Sequence, residues 1–569
     1  MKHFKLYALS LLLILAGTFL LTGCQAQEPS TAPEPAPAVP EVQEPQGTPA
    51  TETENLVKLC KVWGYTKYMH LTFLLGKKDW DQELLSLIPQ VRELTTAEEV
   101  NALLHDWFVG LGEIDYGWGT TFPGWSGAEE DKKVFVADTS WTKDAGYLGE
   151  ELAADFARLP EELPNISMKN APVSYDSRWL PVYDNEPEHE DAFDDPSFRL
   201  LGLFRLWNGM EYFYPYLHLL DRDWTEPLAE QIPNMLAGTD AASYERSLWL
   251  MARETYDTHV MLVGQSESFV IPVECIHAEG RVVVKEPMEG FPLERGDILL
   301  SINGQTVEEL LADKYGNHPR KENIICSMFG YGIPTKEEQV ELHILRGGKE
   351  MSLSCTAMSD FGPDQPAVPY ALLENNIGYF EISQLGITDV QEAVELFRDT
   401  QGLVVDLRLY PQSDGVRCLL SYILGKRVAP LTLARPSCAV PGAYVKDYAA
   451  TYGDDFALDE HYDKPVVVLI NEGTGSAGDT FTSVLRVAEN TVLMGSNTDG
   501  CNGTDLAMPL PGGVWMYFSV LGAYHPDGTQ TQRTGIAPDI RVEPTIQGIA
   551  EGRDEVLEAA IEYIKTQGA

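Results

Sequence analysis

The chain has 569 residues, of which 44% are hydrophobic and 22% are charged. This composition supplies apolar surface for real cores, excludes collagen-like, coiled-coil and wholly disordered proteins, and at about 150 residues per domain predicts three or four domains. Acidic residues outnumber basic ones by 86 to 41, for a formal net charge of −45, and such a chain repels phosphate backbones and argues against nucleic-acid binding.

The N-terminus has the pattern of an export signal. A short basic segment precedes an apolar run from Leu6 to Leu21, as in secretory signal peptides. The run ends in Leu21-Thr22-Gly23-Cys24, which resembles the lipobox of bacterial lipoproteins, while a plain transmembrane anchor is the alternative. The resemblance implies a signal peptide over 1–23 and a lipid on Cys24. We therefore expect an extracytoplasmic protein of the bacterial cell envelope that touches the membrane only through its lipid.

The next segments are predicted to be a tether and a helical domain. Residues 24–54 are rich in Pro, Glu, Ala and Thr and are predicted to be disordered. Over 55–260 we predict a helical domain with an internal repeat, because two tryptophan pairs with equal spacing each precede helix-period apolar positions. The pairs are Trp63 with Trp80 and Trp207 with Trp224. The acidic run 184–195 is interpreted as a solvated loop between the two copies.

From about residue 261 the hydrophobic period changes to two. Short strand-like runs, among them Ser268–Val273 and Ile298–Ile302, predict a β domain over 261–360. Its segment 293–304 resembles the turn–strand–turn signature of PDZ domains, which bind peptide termini. The resemblance implies that Arg295, Gly296 and Asp297 belong to a peptide-binding module, and a small β domain that acts only as a spacer is the alternative.

Strands and helices alternate over 361–569, which predicts an α/β layered domain. The strand Pro465–Ile470 is followed by a turn that ends at Ser476, before a helix predicted over Ala477–Glu489. A serine between a strand end and a helix N-terminus exposes its hydroxyl beside backbone N–H groups that stabilise developing negative charge. A serine that merely caps the helix is the alternative.

Several short motifs of this region stand in the order found in the tail-specific (C-terminal-processing) serine peptidases. They are Ile377-Gly-Tyr-Phe380, Gly402-Leu-Val-Val-Asp406-Leu-Arg408, Thr474-Gly-Ser476, Met508-Pro-Leu-Pro-Gly-Gly513, Gly535-Ile-Ala-Pro-Asp539 and Gly552–Leu557. The resemblance implies a multidomain α+β protein with a ClpP/crotonase-like core and Ser476 as nucleophile. It also implies an oxyanion hole built by the backbone N–H groups of Ala477 and Gln412, with Asp406 and Arg408 as a structural pair beneath.

Many members of this family activate the serine with a lysine about 25 residues further on, because a serine at its free pKa needs a base. Cys501 stands at that position, and no lysine lies between Lys464 and Lys565. The Tricorn-like branch of the family instead uses a histidine that precedes the PDZ-like module. Resemblance to that branch implies His259 as general base and Thr258 as the hydroxyl that steadies the imidazole.

The acid that orients His259 stays open. The family position is Gln532, and Asp257, Asp527 and Asp539 are the candidates. The seven cysteines after Cys24 form no metal-binding pattern; most are expected to be buried, and a bridge among Cys275, Cys326 and Cys355 is left open.

We therefore expect a serine endopeptidase that hydrolyses polypeptides through an acyl-enzyme and needs no metal or cofactor. A catalytically lapsed homologue that binds peptide termini is the alternative, since the lysine is missing and the oxyanion loop is altered. A solute-binding lipoprotein has no support, because α/β periodicity is confined to the last third of the chain.

Overall fold

The computed structural model describes residues 47–567, apart from 118–124, 265–268, 331, 360–368, 412–413 and 459. The predicted signal peptide, the lipidation site Cys24, most of the tether and the oxyanion residue Gln412 therefore lie outside the described residues. Within the described ranges, no helix is both long and apolar enough to cross a bilayer.

Helices dominate the first part of the described chain. These elements are α1 (Glu52–Met69), α2 (Leu71–Leu74), α3 (Trp80–Arg92), α4 (Ala97–Gly110), β1 (Lys133–Val136), α5 (Ala145–Leu148), α6 (Glu150–Phe156), β2 (Ser174–Tyr175), β3 (Pro181–Val182), α7 (Pro196–Phe213), α8 (Thr225–Ala237) and α9 (Ala241–Ala252). Helix α1 begins inside the predicted tether because Thr51 and Glu54 form a reciprocal capping box, which satisfies free N–H groups of the first turn.

The two tryptophan pairs make equivalent contacts. The indole Nε1 of Trp63 donates to the carbonyl of Trp80 at 2.8 Å, and that of Trp207 donates to the carbonyl of Trp224 at 3.0 Å. Each hydrogen bond ties the start of one helix hairpin to the helix that precedes it. The equal spacing in sequence therefore corresponds to one shared hydrogen bond, although Trp80 Nε1 donates to Glu186 whereas Trp224 Nε1 donates to the carbonyl of Trp207.

A β-rich segment follows. Its elements are β4 (Met261–Val263), β5 (Phe269–Ile271), β6 (Val273–Ala278), β7 (Arg281–Pro287), β8 (Ile298–Ile302), β9 (Gln305–Thr306), α10 (Val307–Tyr315), α11 (Lys321–Phe329), β10 (Ile333–Thr335), β11 (Gln339–Arg346) and β12 (Lys349–Thr356). The main sheet runs β12-β11-β8-β7-β6, with α11 packed on β6. The predicted strand Ser268–Val273 is split into β5 and β6 at Pro272, which has no N–H to give to a ladder.

The last segment carries the α/β core. Its elements are β13 (Tyr370–Leu373), β14 (Ile377–Glu381), α12 (Ile387–Phe397), β15 (Leu403–Asp406), α13 (Gly415–Leu424), β16 (Val428–Pro436), β17 (Ala443–Tyr452), β18 (Val466–Ile470), α14 (Ala477–Leu485), β19 (Thr491–Gly495), β20 (Asp505–Leu510), β21 (Val514–Ser519), β22 (Gly522–Tyr524), β23 (Ile540–Arg541), α15 (Ile546–Ala550) and α16 (Glu555–Gln567). The predicted alternation of strands and helices is confirmed, although α14 ends before the expected Glu489.

The central sheet has the order β13-β14-β15-β18-β19-β23, and every pair except β13–β14 is parallel. Both faces of the inner strands are buried: Val466 and Val468 of β18 belong to one apolar cluster, and Val467 and Leu469 belong to another. This is the pattern of a parallel sheet that is covered on both sides. The carboxyl ends of its strands share one edge, where ligands of open α/β sheets usually bind.

Two smaller sheets join the front of the chain to its end. Strand β1 pairs with β17 in the sheet β1-β17-β16-β22, and β4 pairs with β21 in the sheet β20-β21-β4. Sequence periodicity did not predict these sheets, because β1 and β4 are short and gain their partners from residues far along the chain. The largest apolar cluster accordingly contains residues from α1 and α7 together with Met516 and Phe518 of β21.

Candidate active site

Ser476 occupies a strained turn at the carboxyl edge of the central sheet. It lies between β18 and α14 with φ at 56° and ψ at −112°, a conformation that costs a non-glycine residue about 1–3 kcal/mol. Hydrogen bonds hold the turn: Ser476 N donates to Cys501 O at 3.1 Å, and Thr474 Oγ1 donates to Leu407 O at 2.9 Å. The Ser476 side chain makes no capping hydrogen bond to the helix, so the capping interpretation is wrong.

His259 lies just before β4 and faces Ser519 at the end of β21. Its ring Nδ1 is 2.8 Å from Ser519 Oγ, and the two side chains are almost fully buried. Asp257 holds the backbone of His259: His259 N donates to Asp257 Oδ1 at 2.9 Å, and Tyr214 Oη donates to Asp257 Oδ2 at 2.9 Å. Ser519 thus contacts the imidazole directly, although the sequence analysis did not single it out.

The loop 499–503 connects the serine turn with the histidine segment. The Cys501 carbonyl accepts the Ser476 N–H, and Asp499 accepts a hydrogen bond from the Thr258 hydroxyl. A Cβ placed on Gly503 would lie 3.5 Å from Ser519 Cβ. The structure therefore brings the serine, the threonine and the histidine to the same loop. No hydrogen bond joins Ser476 to His259, both of which are among the described residues.

A buried carboxyl supports this loop from the helix that Ser476 begins. Asp479 has no exposed surface, and it accepts hydrogen bonds from Thr498 Oγ1 at 2.5 Å, Gly500 N at 3.1 Å and Cys501 N at 3.2 Å. Burial raises the pKa of Asp479 to about 7, and the three hydrogen bonds only partly oppose that shift. Burial therefore favours the protonated form of this carboxyl at a pH above the ordinary range of an aspartate.

The side chains that were predicted to orient the imidazole of His259 bind other groups. Thr258 donates to Asp499 and not to the imidazole. Asp257 binds the backbone of His259, Asp527 caps an exposed turn through Thr529, and Asp539 accepts the N–H of Leu493. None of the three carboxylates is hydrogen-bonded to the ring among the described residues. The imidazole is instead hydrogen-bonded to the hydroxyl of Ser519, where an acid was expected.

Cys501 and Gln532, which stand where the resemblance led us to expect a lysine and an acid, are both buried. Burial raises the pKa of the Cys501 thiol well above its ordinary value, so that the thiol stays protonated and supplies no base. Gln532 is 1% exposed and accepts the N–H of Asn502 at 3.2 Å through Oε1. All seven cysteines from Cys60 to Cys501 are free thiols, so the bridge left open among Cys275, Cys326 and Cys355 does not form.

Of the two expected oxyanion-hole donors, Ala477 is among the described residues. Ala477 is the first residue of α14, and the first N–H groups of a helix have no intrahelical partner. Gln412, the second expected donor, is outside the described residues. Beneath this region the predicted structural pair is confirmed: Arg408 Nη2 lies 2.6 Å from Asp406 Oδ2 and 2.6 Å from Asp554 Oδ2.

The residues expected to bind peptide in the β segment form structural contacts. Asp297 is 1% exposed, and its two oxygens accept Arg346 Nε at 2.8 Å and Nη2 at 2.7 Å. Gly296 has φ at 83°, and a Cβ placed there would lie 2.5 Å from Ala550 Cβ. Arg295 pairs with Glu286. These contacts close a turn and seat it against α15.

A separate cleft of about 560 Å³ opens between the β segment and the central sheet. Its walls include Ile276 of β6, Cys326 of α11, and Arg408 and Glu472 from the carboxyl edge of the sheet. Ser476 and His259 do not line it. The cleft therefore borders the start of the nucleophile turn, at Asn471 to Gly473, without reaching Ser476.

Known proteins similar to this chain include peptidases. The sequence profile of Peptidase family S41 matches residues 376–542. A carboxy-terminal-processing protease of Bartonella bacilliformis is 26% identical over 306 residues, which cover 50% of this chain and 64% of that protein. A probable CtpA-like serine protease of Staphylococcus aureus is 22% identical over 296 residues, which cover 49% of this chain and 54% of that protein.

Among solved structures, mature CPAF in complex with lactacystin superimposes with a TM-score of 0.52 at 14% identity, over 66% of this chain and 98% of that one. This likeness concerns the fold alone. The chain spans only 54% of the Staphylococcus relative and 64% of the Bartonella relative. Residues 376–542 thus match the sequence profile of peptidase family S41, and about half of the chain is similar to carboxy-terminal-processing serine proteases.

Proposed function

We propose that the chain is a serine endopeptidase in which Ser476 is the nucleophile and His259 is the general base. The observation that carries this proposal is that the loop 499–503 contacts both a strained serine, free of any capping role, and the segment of an imidazole held by Ser519 of β21. Strained residues at the end of a buried strand are typical of functional sites. The substrates are polypeptides, as the family of the matched domain implies.

In the proposed mechanism, His259 Nδ1–H donates to Ser519 Oγ, which leaves Nε2 to accept the proton of the Ser476 hydroxyl. The serine oxygen attacks the scissile carbonyl, and the N–H groups of Ala477 and Gln412 stabilise the oxyanion. The leaving amine takes the proton from Nε2. Water then attacks the acyl ester with His259 again as base, which releases the second product and restores the serine.

Substrate binding completes this geometry. Catalytic hydrogen bonds are often long or absent in free enzymes and tighten in the Michaelis complex. The loop 499–503 already contacts both the serine turn and the histidine segment. The PDZ-like segment 261–360 is proposed to present a polypeptide terminus to this site.

An active-site probe tests the proposal. Folded wild-type protein is expected to react with a biotinylated fluorophosphonate, whereas Ser476→Ala abolishes labelling and His259→Ala lowers its rate by about a thousandfold or more. Ser496→Ala is the matched control, because Ser496 is a partly exposed serine at the same sheet edge whose hydroxyl binds Glu472 at 2.8 Å. Absence of labelling in folded wild type contradicts the proposal.

The second candidate function is binding of peptide termini by a lapsed peptidase. The absence of a hydrogen bond between Ser476 and His259, together with the neutral Gln532, favours it. The same probe distinguishes the two functions. A lapsed enzyme binds peptides but does not cleave them, and it does not react with the fluorophosphonate.

We also propose that a lipid on Cys24 anchors the protein outside the cytoplasm. The proposal rests on the lipobox-like sequence and on the net charge of −45, which excludes electrostatic attachment to an anionic bilayer. Cys24→Ser is expected to move the protein from the membrane fraction to the soluble fraction. Unchanged fractionation contradicts the anchor.

A further inference from the structure

The small sheet β20-β21-β4 has one face in the protein core and the other on the surface. Val260, Met516 and Phe518 point into the largest apolar cluster. Side chains next to these in sequence point to the opposite face of the sheet. Three large apolar side chains on that face are exposed: Met261 by 46%, Val263 by 52% and Trp515 by 42%. A sheet exposed to water ordinarily carries polar residues on its outer face, so this apolar outer face requires an explanation.

The strand register places the exposed residues in line with the candidate catalytic histidine. Val263 lies opposite Trp515, and Met261 lies opposite Tyr517. The next pair in the same register is His259 with Ser519, which are hydrogen-bonded. Because side chains on one face repeat every two residues, or about 7 Å, the two apolar pairs lie about 7 and 14 Å from the His259–Ser519 pair. We call the four residues of these pairs the apolar platform.

A second copy of the chain fits this platform poorly. Strand β4 has three residues, whereas stable protein–protein interfaces use about 20–30 residues on each side. Each copy also carries a net charge of −45, so that two copies repel one another. A short extended segment of another polypeptide needs only the spacing that the platform offers.

We propose that the apolar platform is the specificity surface of the candidate active site. An extended substrate segment runs from the His259–Ser519 pair along β4 and β21, and its side chains at alternate positions pack on Met261, Val263 and Trp515. The chain would therefore select polypeptides with apolar residues two and four positions from the residue held at the histidine. This inference rests on the proposed peptidase function and names the substrate class of the same site.

Peptide binding to the Ser476→Ala protein tests the inference without requiring turnover. Two fluorescein-labelled decapeptides of equal charge are compared by anisotropy, one with Leu and Phe at alternate positions and one with Ser at those positions. The apolar peptide is expected to bind at least about tenfold more tightly, because burying one apolar side chain contributes about 1.5 kcal/mol. Val263→Lys and Trp515→Ser in the same background are each expected to remove most of that preference.

Leu396→Lys is the matched control, because Leu396 is 48% exposed on α12 and lies outside the platform. Equal affinity for the two peptides, or an unchanged preference in Val263→Lys, overturns the inference. So does sedimentation velocity that shows wild type as a dimer and Val263→Lys as a monomer, because the occupant is then a second copy. Fluorophosphonate labelling is a separate measurement. If the protein prefers the apolar peptide but does not react with the fluorophosphonate, this inference stands and the proposed peptidase function is contradicted.

Discussion

Replacing Asp479 by asparagine tests whether a buried carboxyl supports the loop behind the nucleophile. The carboxyl has no exposed surface and accepts three hydrogen bonds from residues 498–501. Asparagine has nearly the same shape, and its Oδ1 can still accept the two backbone N–H groups. It does not titrate, so any pH-dependent difference between the two proteins belongs to the carboxyl.

The expected magnitude follows from the pKa of Asp479. Burial raises this pKa from 3.8 to about 7. Between these pH values the native state holds a proton that the unfolded chain has released, so the free energy of unfolding falls as the pH rises through this window. At about 1.4 kcal/mol per pH unit, the contribution is at most about 4 kcal/mol, fully present below pH 4 and lost above pH 7.

Thermal unfolding measures this contribution. Between pH 5 and pH 8 the free energy of unfolding of the wild type is expected to fall by about 3 kcal/mol more than that of Asp479→Asn. For a folded unit of about 500 residues, the entropy of unfolding is about 1 kcal/mol/K, so the difference between the two Tm values changes by about 3 °C. Parallel Tm curves for the two proteins across this range would refute the assignment of a raised pKa to Asp479.

Three further substitutions probe the rest of the site. Ser519→Ala is expected to lower kcat by about fivefold with little change in KM, because about 1 kcal/mol of hydrogen bonding that orients His259 is lost; an unchanged kcat would exclude an orienting role. Arg408→Leu leaves Asp406 buried without its charged partner, although the Tyr379 hydroxyl still donates to it, and should destabilise the protein by about 3 kcal/mol, as denaturant unfolding would register; a change below about 1 kcal/mol would contradict it. Cys501→Ser should keep fluorophosphonate labelling within about threefold of wild type, since the buried thiol is protonated; complete loss of labelling with the fold intact would give the thiol a chemical role.

The order of elements around Ser476 could be predicted from the sequence because each carries a local signal. Strand Ile298–Ile302 is found with the predicted bounds, and the predicted strand Pro465–Ile470 is found as β18 (Val466–Ile470), since apolar runs between turn residues mark buried strands. The start of α14 directly after Ser476 is likewise confirmed. These signals depend only on residues that are close together in the chain.

Contacts between distant residues could not be predicted in this way. Ser519 meets His259 only through the pairing of β4 with β21, whose members are about 260 residues apart. Glu186 belongs to the acidic run that was interpreted as a solvated loop. In the structure it is buried and lies 2.6 Å from Lys67 Nζ. A buried charge requires a partner, and nothing near Glu186 in the sequence reveals that this partner is a lysine of α1.

The pairing of β4 with β21 also has a consequence for biosynthesis. A ribosome makes His259 long before Ser476 and Ser519, so the histidine segment emerges without the strand that later holds it. Until residue 519 has been made, β4 lacks its only partner strand among the described residues, and the proposed base has no oriented tautomer. A nascent chain, or one truncated before residue 519, therefore lacks the assembled candidate site.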